Sequence, residues 1–454
     1  MKNRMHLPSV MALTVSLALG LPAAAGAIDL IETYKLALDN DAEFAAAVAG
    51  NKAAQEFKPQ ARAALLPNIS LDAWTAYNDG RRKARSRSGM VADDARYNTN
   101  GYGLSLTQPV FRWDRWVQLR QADDRVKQAN AELDSAAQDL IVRAAARYFE
   151  VLAAEDNLEY RITTKDAFFS QYNQALQRFE VGLIAITDVE EAKAGHDLAV
   201  AEEIRARNAL ENAREALREL VGEYYEQLAP LAKEVPLLKP DPDSAERWVE
   251  KALAENRQVA AATFASKVAQ EEIKRRASGH LPTLDLVAGR NYSAQSESPK
   301  LTDLSVGGPS RNYTDAIGLQ VTLPIFSGGL TYSQTEQARH QYQQALEQLE
   351  SARRGTHRQA RQSYNGVIDS ISGVAALRQA LTSTQKALEA IEAGFQVGTR
   401  TSVDVLNAQR NTYESKRDYK NAQYTYILGG LRLKQAAGTL SPDDLVPIND
   451  WLKH

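Results

Sequence analysis

The sequence predicts a mixed α/β membrane protein in which long coiled-coil helices carry a small number of membrane-length strands. Three observations predict this fold class. The chain contains two copies of one unit, and each copy has a proline-free stretch of about seventy residues. Each copy also has two segments of about ten residues in which side chains of different polarity alternate with period two.

Residues 1–27 predict a signal peptide. Lys2 and Arg4 form a basic start, residues 10–21 are almost entirely apolar, and the small residues up to Ala27 provide a cleavage site. An uncleaved membrane anchor is the weaker interpretation, because the apolar run is too short to span a bilayer comfortably. We therefore expect an exported protein of a Gram-negative-type cell.

Composition excludes several classes of function. The chain has no cysteine and a formal net charge of only −3, so neither a thiol site nor nucleic-acid binding is indicated. It contains no phosphate loop, nucleophile motif or histidine–carboxylate cluster, and we expect no enzyme activity, metal or cofactor. After the signal no run of about eighteen apolar residues occurs, so a membrane span would have to be made of strands.

The two copies are repeat 1, residues 28–234, and repeat 2, residues 245–454, joined by a proline-bearing linker at 235–244. Residues 34–67 align without gaps to 249–282, and the segment GLSLTQPVF aligns to GLQVTLPIF. A period this long indicates an internal duplication, so the same order of elements is expected twice.

Each repeat is predicted to contain a very long helix, at about 112–181 and about 327–397, followed by a shorter one at about 188–221 and about 402–437. Apolar residues in the first long helix alternate three and four apart, which is coiled-coil spacing. Seventy residues at about 1.5 Å each give a rod of roughly 100 Å, too long for a compact globule.

The two helical hairpins turn at glycines. Gly182 and Gly398 each follow a long helix, where a left-handed C-terminal cap favours glycine. Thr187, with a glutamate three residues later, predicts a capping box at the first turn, and Thr401 or Ser402 is expected to cap the second.

Four strands are predicted at about 68–78, 100–110, 283–292 and 315–325. Each alternates with period two over about ten residues, the length of a membrane-spanning strand. A soluble sheet is the plainer interpretation of the strands alone, but export and the long rods favour the membrane.

Four strands cannot close a barrel by themselves, because outer-membrane barrels have at least about eight. Open sheet edges are not tolerated in lipid, so closure must come from several chains. Strand spacing alone leaves eight, twelve or sixteen strands open.

The motifs VGLIAITDV at 181–189 and VGTRTSVDVLNA at 397–408, together with the strand exits QPVF and LPIF, resemble those of the TolC family of outer-membrane channels. The similarity covers essentially the whole mature chain, and the absence of a cysteine after the signal makes it closest to the TolC type. This resemblance implies a homotrimer with a TolC-like α-barrel and a 12-stranded β-barrel, embedded in outer-membrane lipid and extending through the periplasm.

The resemblance also implies a function. It predicts a passive exit duct for tripartite efflux or type I secretion, docked to a periplasmic adaptor (membrane fusion) protein and an inner-membrane ABC or proton-driven pump. Drugs, secreted proteins or both are compatible cargoes. An alternative from another class is a soluble periplasmic coiled-coil adaptor or scaffold.

Site residues follow from the resemblance by position. Asp404 and Asn407, three residues apart on one helical face, fall at the family's periplasmic constriction, where the second acidic position of the family is replaced by asparagine here. Without the resemblance, Asp404 is most simply a first-turn acid that interacts favourably with the helix dipole. We expect a cation-selective pore with one carboxylate per chain.

The resemblance places a gate latch at Thr187, Asp188 and Arg400, which would tie one hairpin to the other. The family's usual tyrosine hydroxyl is missing because this chain has Phe395, which predicts a more easily opened entrance. Without the resemblance, an ordinary surface ion pair is as good an interpretation.

The hairpin tips Gly182-Leu183 and Gly398-Thr399 are expected to contact the adaptor. The basic stretch RRKARSR at 81–87 is expected to form a loop outside the cell, most simply solvated and alternatively in contact with lipopolysaccharide phosphates.

Overall fold

The computed structural model describes residues 27–86, 89–232, 235–296 and 309–453. The predicted signal peptide therefore lies outside the described residues except for Ala27. The described chain is mostly helical and contains one small antiparallel sheet.

The first half of the chain runs through helices, two strands and two further helices: α1 (Leu30–Asn40), α2 (Ala42–Gln55), α3 (Phe57–Ala63), β1 (Asn68–Ser86), β2 (Gly89–Phe111), α4 (Trp113–Glu180) and α5 (Ile186–Val221). The second half follows a similar order: α6 (Ala245–Glu255), α7 (Arg257–Ala277), β3 (Thr283–Gln295), β4 (Ser310–Thr322), α8 (Leu330–Gln396), α9 (Ser402–Ala436) and the short α10 (Val446–Asn449). Two 3-10 turns, Ser278–His280 and Pro442–Leu445, complete the chain.

The long helices α4 and α8 have 68 and 67 residues. At about 1.5 Å per residue each is a rod of roughly 100 Å. Helix α4 packs along α5, and α8 packs along α9, so the chain carries two long antiparallel hairpins. Across the described ranges, no helix has the length and apolar character needed to cross a membrane.

The main core lies at mid-length of α4, where the two hairpins meet the chain termini. Tyr148 and Phe149 of α4 are fully buried, and their rings pack edge to face with centroids 5.6 Å apart. The Phe149 ring also stacks on Tyr424 of α9 at 5.4 Å. Burial of each such side chain contributes about 1.5–3 kcal/mol, so this cluster fixes the hairpins to each other.

The sheet has the order β1-β2-β3-β4, and every neighbouring pair is antiparallel. The first two strands are longer than predicted, because β1 and β2 remain paired from Asn68↔Thr107 to Ser86↔Gly89. The expected loop at 81–87 is therefore wrong for residues 81–86, whose backbone belongs to β1, while Arg87 lies outside the described residues.

Strand β4 is displaced from the predicted 315–325. It begins at Ser310 and ends at Thr322, so residues 323–325 leave the sheet. Pro324 explains the early end, because proline has no N–H to donate to a neighbouring strand. The alternation of Ser310–Thr322 was obscured by its polar first half.

The two faces of the sheet differ in polarity. One face carries small or polar side chains, including Ser70, Asp72, Ser105, Asn291 and Thr314. The other face is largely apolar, and many of its members are exposed in the single chain: Ile69, Leu71, Leu104, Ile317, Leu319 and Val321. Side chains alternate across a strand, so the register places these residues together on one side.

An ion pair joins the sheet to the first rod. Arg112, just before α4, donates from Nε and Nη2 to the two carboxylate oxygens of Asp285 in β3, at 3.1 and 2.7 Å. Asp285 is buried, and a two-point guanidinium–carboxylate contact fixes direction as well as distance. The pair therefore orients α4 relative to the strands.

We predict that Tyr148→Phe lowers the free energy of unfolding by about 1–3 kcal/mol. The buried Tyr148 hydroxyl donates to the Ala229 carbonyl at 2.7 Å, and the substitution leaves that acceptor without its partner. Denaturant-induced unfolding in detergent measures the change. Tyr332→Phe is the matched control, since Tyr332 is 68% exposed, and an equal effect of both substitutions would contradict the account.

Candidate functional site

Both hairpins end in the same turn. After α4, Gly182 has φ +78° and donates to the Phe179 carbonyl at 2.8 Å, while the Leu183 N–H donates to the Arg178 carbonyl at 2.8 Å. This pair of hydrogen bonds is a Schellman motif, which satisfies the last carbonyls of a helix.

The tip after α8 has the same Schellman motif. Gly398 has φ +79° and donates to the Phe395 carbonyl at 3.0 Å, while the Thr399 N–H donates to the Gly394 carbonyl at 2.8 Å. The Thr399 hydroxyl donates to the same carbonyl at 3.0 Å. A side chain at either glycine would be strained by the left-handed backbone, although it would meet no neighbouring atom.

The helices that leave the two tips begin differently. Helix α5 starts at Ile186 with Ala185 as its N-cap, and no side chain caps it. The capping box predicted at Thr187 is therefore wrong, because Thr187 already lies inside the helix. Asp188 occupies the first turn, where a carboxylate interacts favourably with the helix dipole.

Helix α9 starts with the capping box that α5 lacks. The Thr401 side chain accepts from the Asp404 N–H at 3.2 Å, and the Asp404 carboxylate accepts from the Thr401 N–H at 2.9 Å. These hydrogen bonds from Thr401 hold the pKa of Asp404 below its ordinary value, with a smaller contribution from the Arg400 charge. The expectation that Asp404 is a first-turn acid is confirmed.

The remaining candidate residues lie around the tips with exposed side chains. Phe395 is 47% exposed at the end of α8, and Asn407 is exposed one turn into α9. The Arg400 side chain folds towards Gly394. Asp188 and Arg400, both described, form no hydrogen bond or ion pair with each other within one chain. The structure thus brings Arg400 and Asp404 together but leaves Asp188 apart.

The sequence did not predict a polar cluster that joins the two hairpins, which we call the hairpin clamp. Tyr424 donates to Asp156 at 2.7 Å, and Lys416 pairs with Glu159 at 2.7 Å. The Arg417 guanidinium lies 4.5 Å from the centre of the Tyr160 ring. The clamp comprises residues of α4 and α9: Asp156, Glu159, Tyr160, Lys416, Arg417, Lys420 and Tyr424.

A weak signal for the clamp exists in the sequence. Acids at 156 and 159 share one face of α4, and bases at 416 and 420 share one face of α9. Complementary stripes of this kind indicate that two helices can pair, but they do not identify which helices meet. Within the described ranges, no group of three metal-ligating side chains comes together.

The sequence was compared with protein families and with curated proteins. Residues 33–223 and 248–439 match the family described as Outer membrane efflux protein. The chain is 40% identical over 443 residues to the Outer membrane protein TolC of Vibrio cholerae, which covers 97% of this chain and 98% of the relative. It is 37% identical to TolC of Escherichia coli, covering 98% of this chain and 89% of the relative.

A third relative, the Alkaline protease secretion protein AprF of Pseudomonas aeruginosa, is 31% identical and covers 92% of this chain and 86% of the relative. Among solved structures, the outer membrane protein VceC of Vibrio cholerae superposes with a TM-score of 0.69 at 21% identity, covering 90% of this chain and 96% of that one. The CmeC outer membrane channel of Campylobacter jejuni gives 0.72 at 16% identity, covering 98% and 97%.

The likeness to these structures shows the fold, and the family match together with the full-length relatives shows the family. The chain belongs to the outer membrane efflux protein family.

Proposed function

We propose that three copies of this chain assemble into an outer-membrane exit duct for efflux and secretion. The four strands of each copy form one third of a 12-stranded β-barrel, and the paired hairpins form a tunnel through the periplasm. The chain lies in the outer membrane with this long periplasmic extension, as its relatives named outer membrane proteins indicate. Those names do not support the alternative of a soluble periplasmic adaptor.

The observation that carries the proposal is a sheet open at both edges with one apolar face exposed. In a single chain β1 and β4 each have only one neighbouring strand. Their outer N–H and C=O groups have no partner in lipid, where each unpaired group is costly. Pairing of β1 with β4 of the next copy satisfies the backbone groups of both edges.

The duplication supports the tunnel. The two halves present similar orders of helices and strands, so one chain supplies two equivalent hairpins around the axis. Three chains give six hairpins, whose rods of roughly 100 Å span the periplasm. The inferred repeats, 28–234 and 245–454, are the units of this arrangement.

The duct is passive, and its partners provide the energy. The relatives include a channel named for alkaline protease secretion and channels named TolC. We infer a periplasmic adaptor that contacts the tips at Gly182-Leu183 and Gly398-Thr399, and an inner-membrane ABC or proton-driven pump behind it. Deleting the gene and measuring both drug susceptibility and the profile of secreted proteins would identify the class of cargo.

The gate is proposed at the tips. We infer that the latch of Thr187, Asp188 and Arg400 connects hairpins of neighbouring copies, where the exposed Asp188 and Arg400 side chains of different chains can meet. An Arg–carboxylate pair at a solvated tip is directional but easily broken, as a gate requires. Asp404 and Asn407 then form the constriction, with a ring of three carboxylates around the axis.

Cell fractionation followed by native mass measurement tests the proposed assembly. We expect the protein in the outer membrane as a complex of three copies, and this complex should form conducting pores in a planar bilayer. Recovery as a monomer in the soluble periplasmic fraction would contradict it.

A second prediction concerns ion selectivity. Asp404→Asn removes the charge but keeps an oxygen that can accept from the Thr401 N–H, so we expect cation preference at neutral pH to fall severalfold with little loss of assembly. In the wild type the same preference is lost as pH falls through the pKa of Asp404, because protonation removes the charge.

The stabilisation of helix α9 by Asp404 is also lost as pH falls. Since folding lowers the pKa of Asp404, the carboxylate stabilises the start of α9 at pH values above its ordinary pKa and loses that effect as pH falls.

Reversal potentials under a salt gradient measure the ion selectivity of the pore. Asn407→Asp is the matched variant and should increase cation preference, whereas unchanged selectivity in Asp404→Asn would exclude this residue from the constriction.

A third prediction concerns the closed state. Phe395→Tyr adds a hydroxyl to an exposed ring at the gate, where it can donate across to a neighbouring hairpin, so the leak conductance of the isolated pore should fall. Phe179→Tyr is the matched control, because Phe179 holds the equivalent position in repeat 1 and is 38% exposed. A higher leak in Phe395→Tyr, or an equal decrease in both variants, would contradict the assignment.

A further inference from the structure

A row of three tyrosines crosses the apolar face of the sheet. Tyr102, Tyr292 and Tyr313 lie directly opposite one another on β2, β3 and β4. Their ring centroids are 5.1 and 4.9 Å apart, and all three rings contact a neighbour at a tilted angle. Tyrosine is enriched at membrane–water boundaries, so this row marks one edge of the lipid-facing surface.

The opposite edge lies where the strands meet the rods. Four exposed aromatic residues cluster in sequence around these junctions: Phe111, Trp113, Trp116 and Phe326. From Leu284 to Tyr292 the strand is about 26 Å long at about 3.3 Å per residue, and tilting shortens its vertical span. This height is close to the apolar band of about 25 Å in outer-membrane barrels.

A charged pair lies just inside the tyrosine row. Arg290 is two residues from Tyr292 on the same face, and Asp315 is two residues from Tyr313. Two hydrogen bonds of 2.7 Å each join the guanidinium to the carboxylate, and both side chains are more than half exposed. The pair is neutral overall, and its place beside the boundary keeps its cost in lipid small.

A second arginine lies on the other side of the row. Arg311 is two residues beyond Tyr313 along β4, so its side chain is on the lipid-facing side. It is exposed and forms no ion pair with any residue that the structure describes. Its cross-strand neighbour is Ala294, which lies opposite Asn100, so no acid occupies the same cross-strand row on β3 or β2.

We propose that Arg311, the tyrosine row and Arg290 form a binding site for the phosphate group of a phosphorylated glycolipid of the outer leaflet, of the lipid A type. Arg311 and the hydroxyl of Tyr313 bind the phosphate, and Arg290 adds a second donor set when it turns from Asp315. The acyl chains lie over Ile317 and Leu319 below the row. This inference rests on the proposed barrel, since it requires this face to contact lipid.

Charge complementarity favours this occupant over a zwitterionic lipid. The site carries two guanidinium groups and one carboxylate, and a phosphate neutralises the excess positive charge. Guanidinium groups bind phosphate through paired N–H donors, and the tyrosine hydroxyls supply further donors at the same height. Asp315 then competes with the lipid phosphate for Arg290.

If Asp315 competes with the lipid phosphate for Arg290, two substitutions should have opposite effects on lipid A binding. Arg311→Gln removes the free cation and should weaken binding of lipid A about tenfold. Asp315→Asn releases Arg290 and should strengthen it. Arg354→Gln on α8 is the matched control, because Arg354 is an exposed arginine on a rod, and it should leave binding unchanged.

The test uses the purified full-length oligomer in detergent, titrated with lipid A and followed by native mass spectrometry. Separate titrations use lipid A stripped of its phosphates and phosphatidylethanolamine, and both should bind more weakly than lipid A. Inorganic phosphate in excess should not displace bound lipid A, because it has no acyl chains.

Equal binding of lipid A with and without phosphates would overturn the site, and so would weaker binding in Asp315→Asn. Arg311→Lys keeps the charge but loses the paired N–H donors, so it should weaken binding less than Arg311→Gln does, and it takes the place of Arg311→Gln if that variant does not assemble. A monomer without lipid affinity in the wild type would instead refute the proposed barrel, whereas an intact oligomer without phosphate preference refutes this site alone.

Discussion

The unpaired backbone at the two edges of the sheet is the constraint on which the rest of the molecule depends. A chain with four strands in the order β1-β2-β3-β4 cannot hydrogen-bond its outer edges by itself, and lipid offers no partner for them. In the assembly proposed above, further copies close the sheet around a rotation axis. In the proposed trimer this axis brings the hairpin tips of different copies together, and the proposed latch of Asp188 and Arg400 acts across chains.

The long helices connect the sheet to the hairpin tips. Arg112 and Asp285 fix the direction of α4 where it leaves the sheet, and the core around Tyr148 joins both hairpins at mid-length. The hairpin clamp continues that junction to Glu159 and Lys416. Beyond it, the polar contacts recorded for the described residues run within each hairpin, such as Lys165 with Glu203. Each tip is thus held mainly by its own hairpin, which suits the proposed gate, whose opening would separate the hairpins.

The features that depend on local backbone chemistry could be predicted from the sequence. The helix-ending glycines at 182 and 398 have the expected left-handed conformation, and Thr401 caps α9. The errors arise where tertiary pairing overrides local pattern. Strands β1 and β2 continue through polar and charged residues because each pairs with the other, and α5 begins before Thr187 without any cap. The hairpin clamp could not be assigned, because complementary stripes on 156–159 and 416–420 do not reveal which helices pack together.

Disulfide cross-linking between β1 and β4 tests the central claim most directly, because the chain has no cysteine of its own. One cysteine replaces Leu71 in β1, and a second replaces in turn Ile317, Leu319 or Val321 in β4. Within one chain two strands intervene, a separation of roughly 14 Å that a disulfide cannot bridge, since its Cα atoms lie at most about 7 Å apart. Leu71 paired with Leu104, directly opposite on β2, is the control and should give bonded monomers only. The account predicts covalent trimers at one of the β4 positions after oxidation in the outer membrane; β1–β4 disulfides confined to single chains would contradict it.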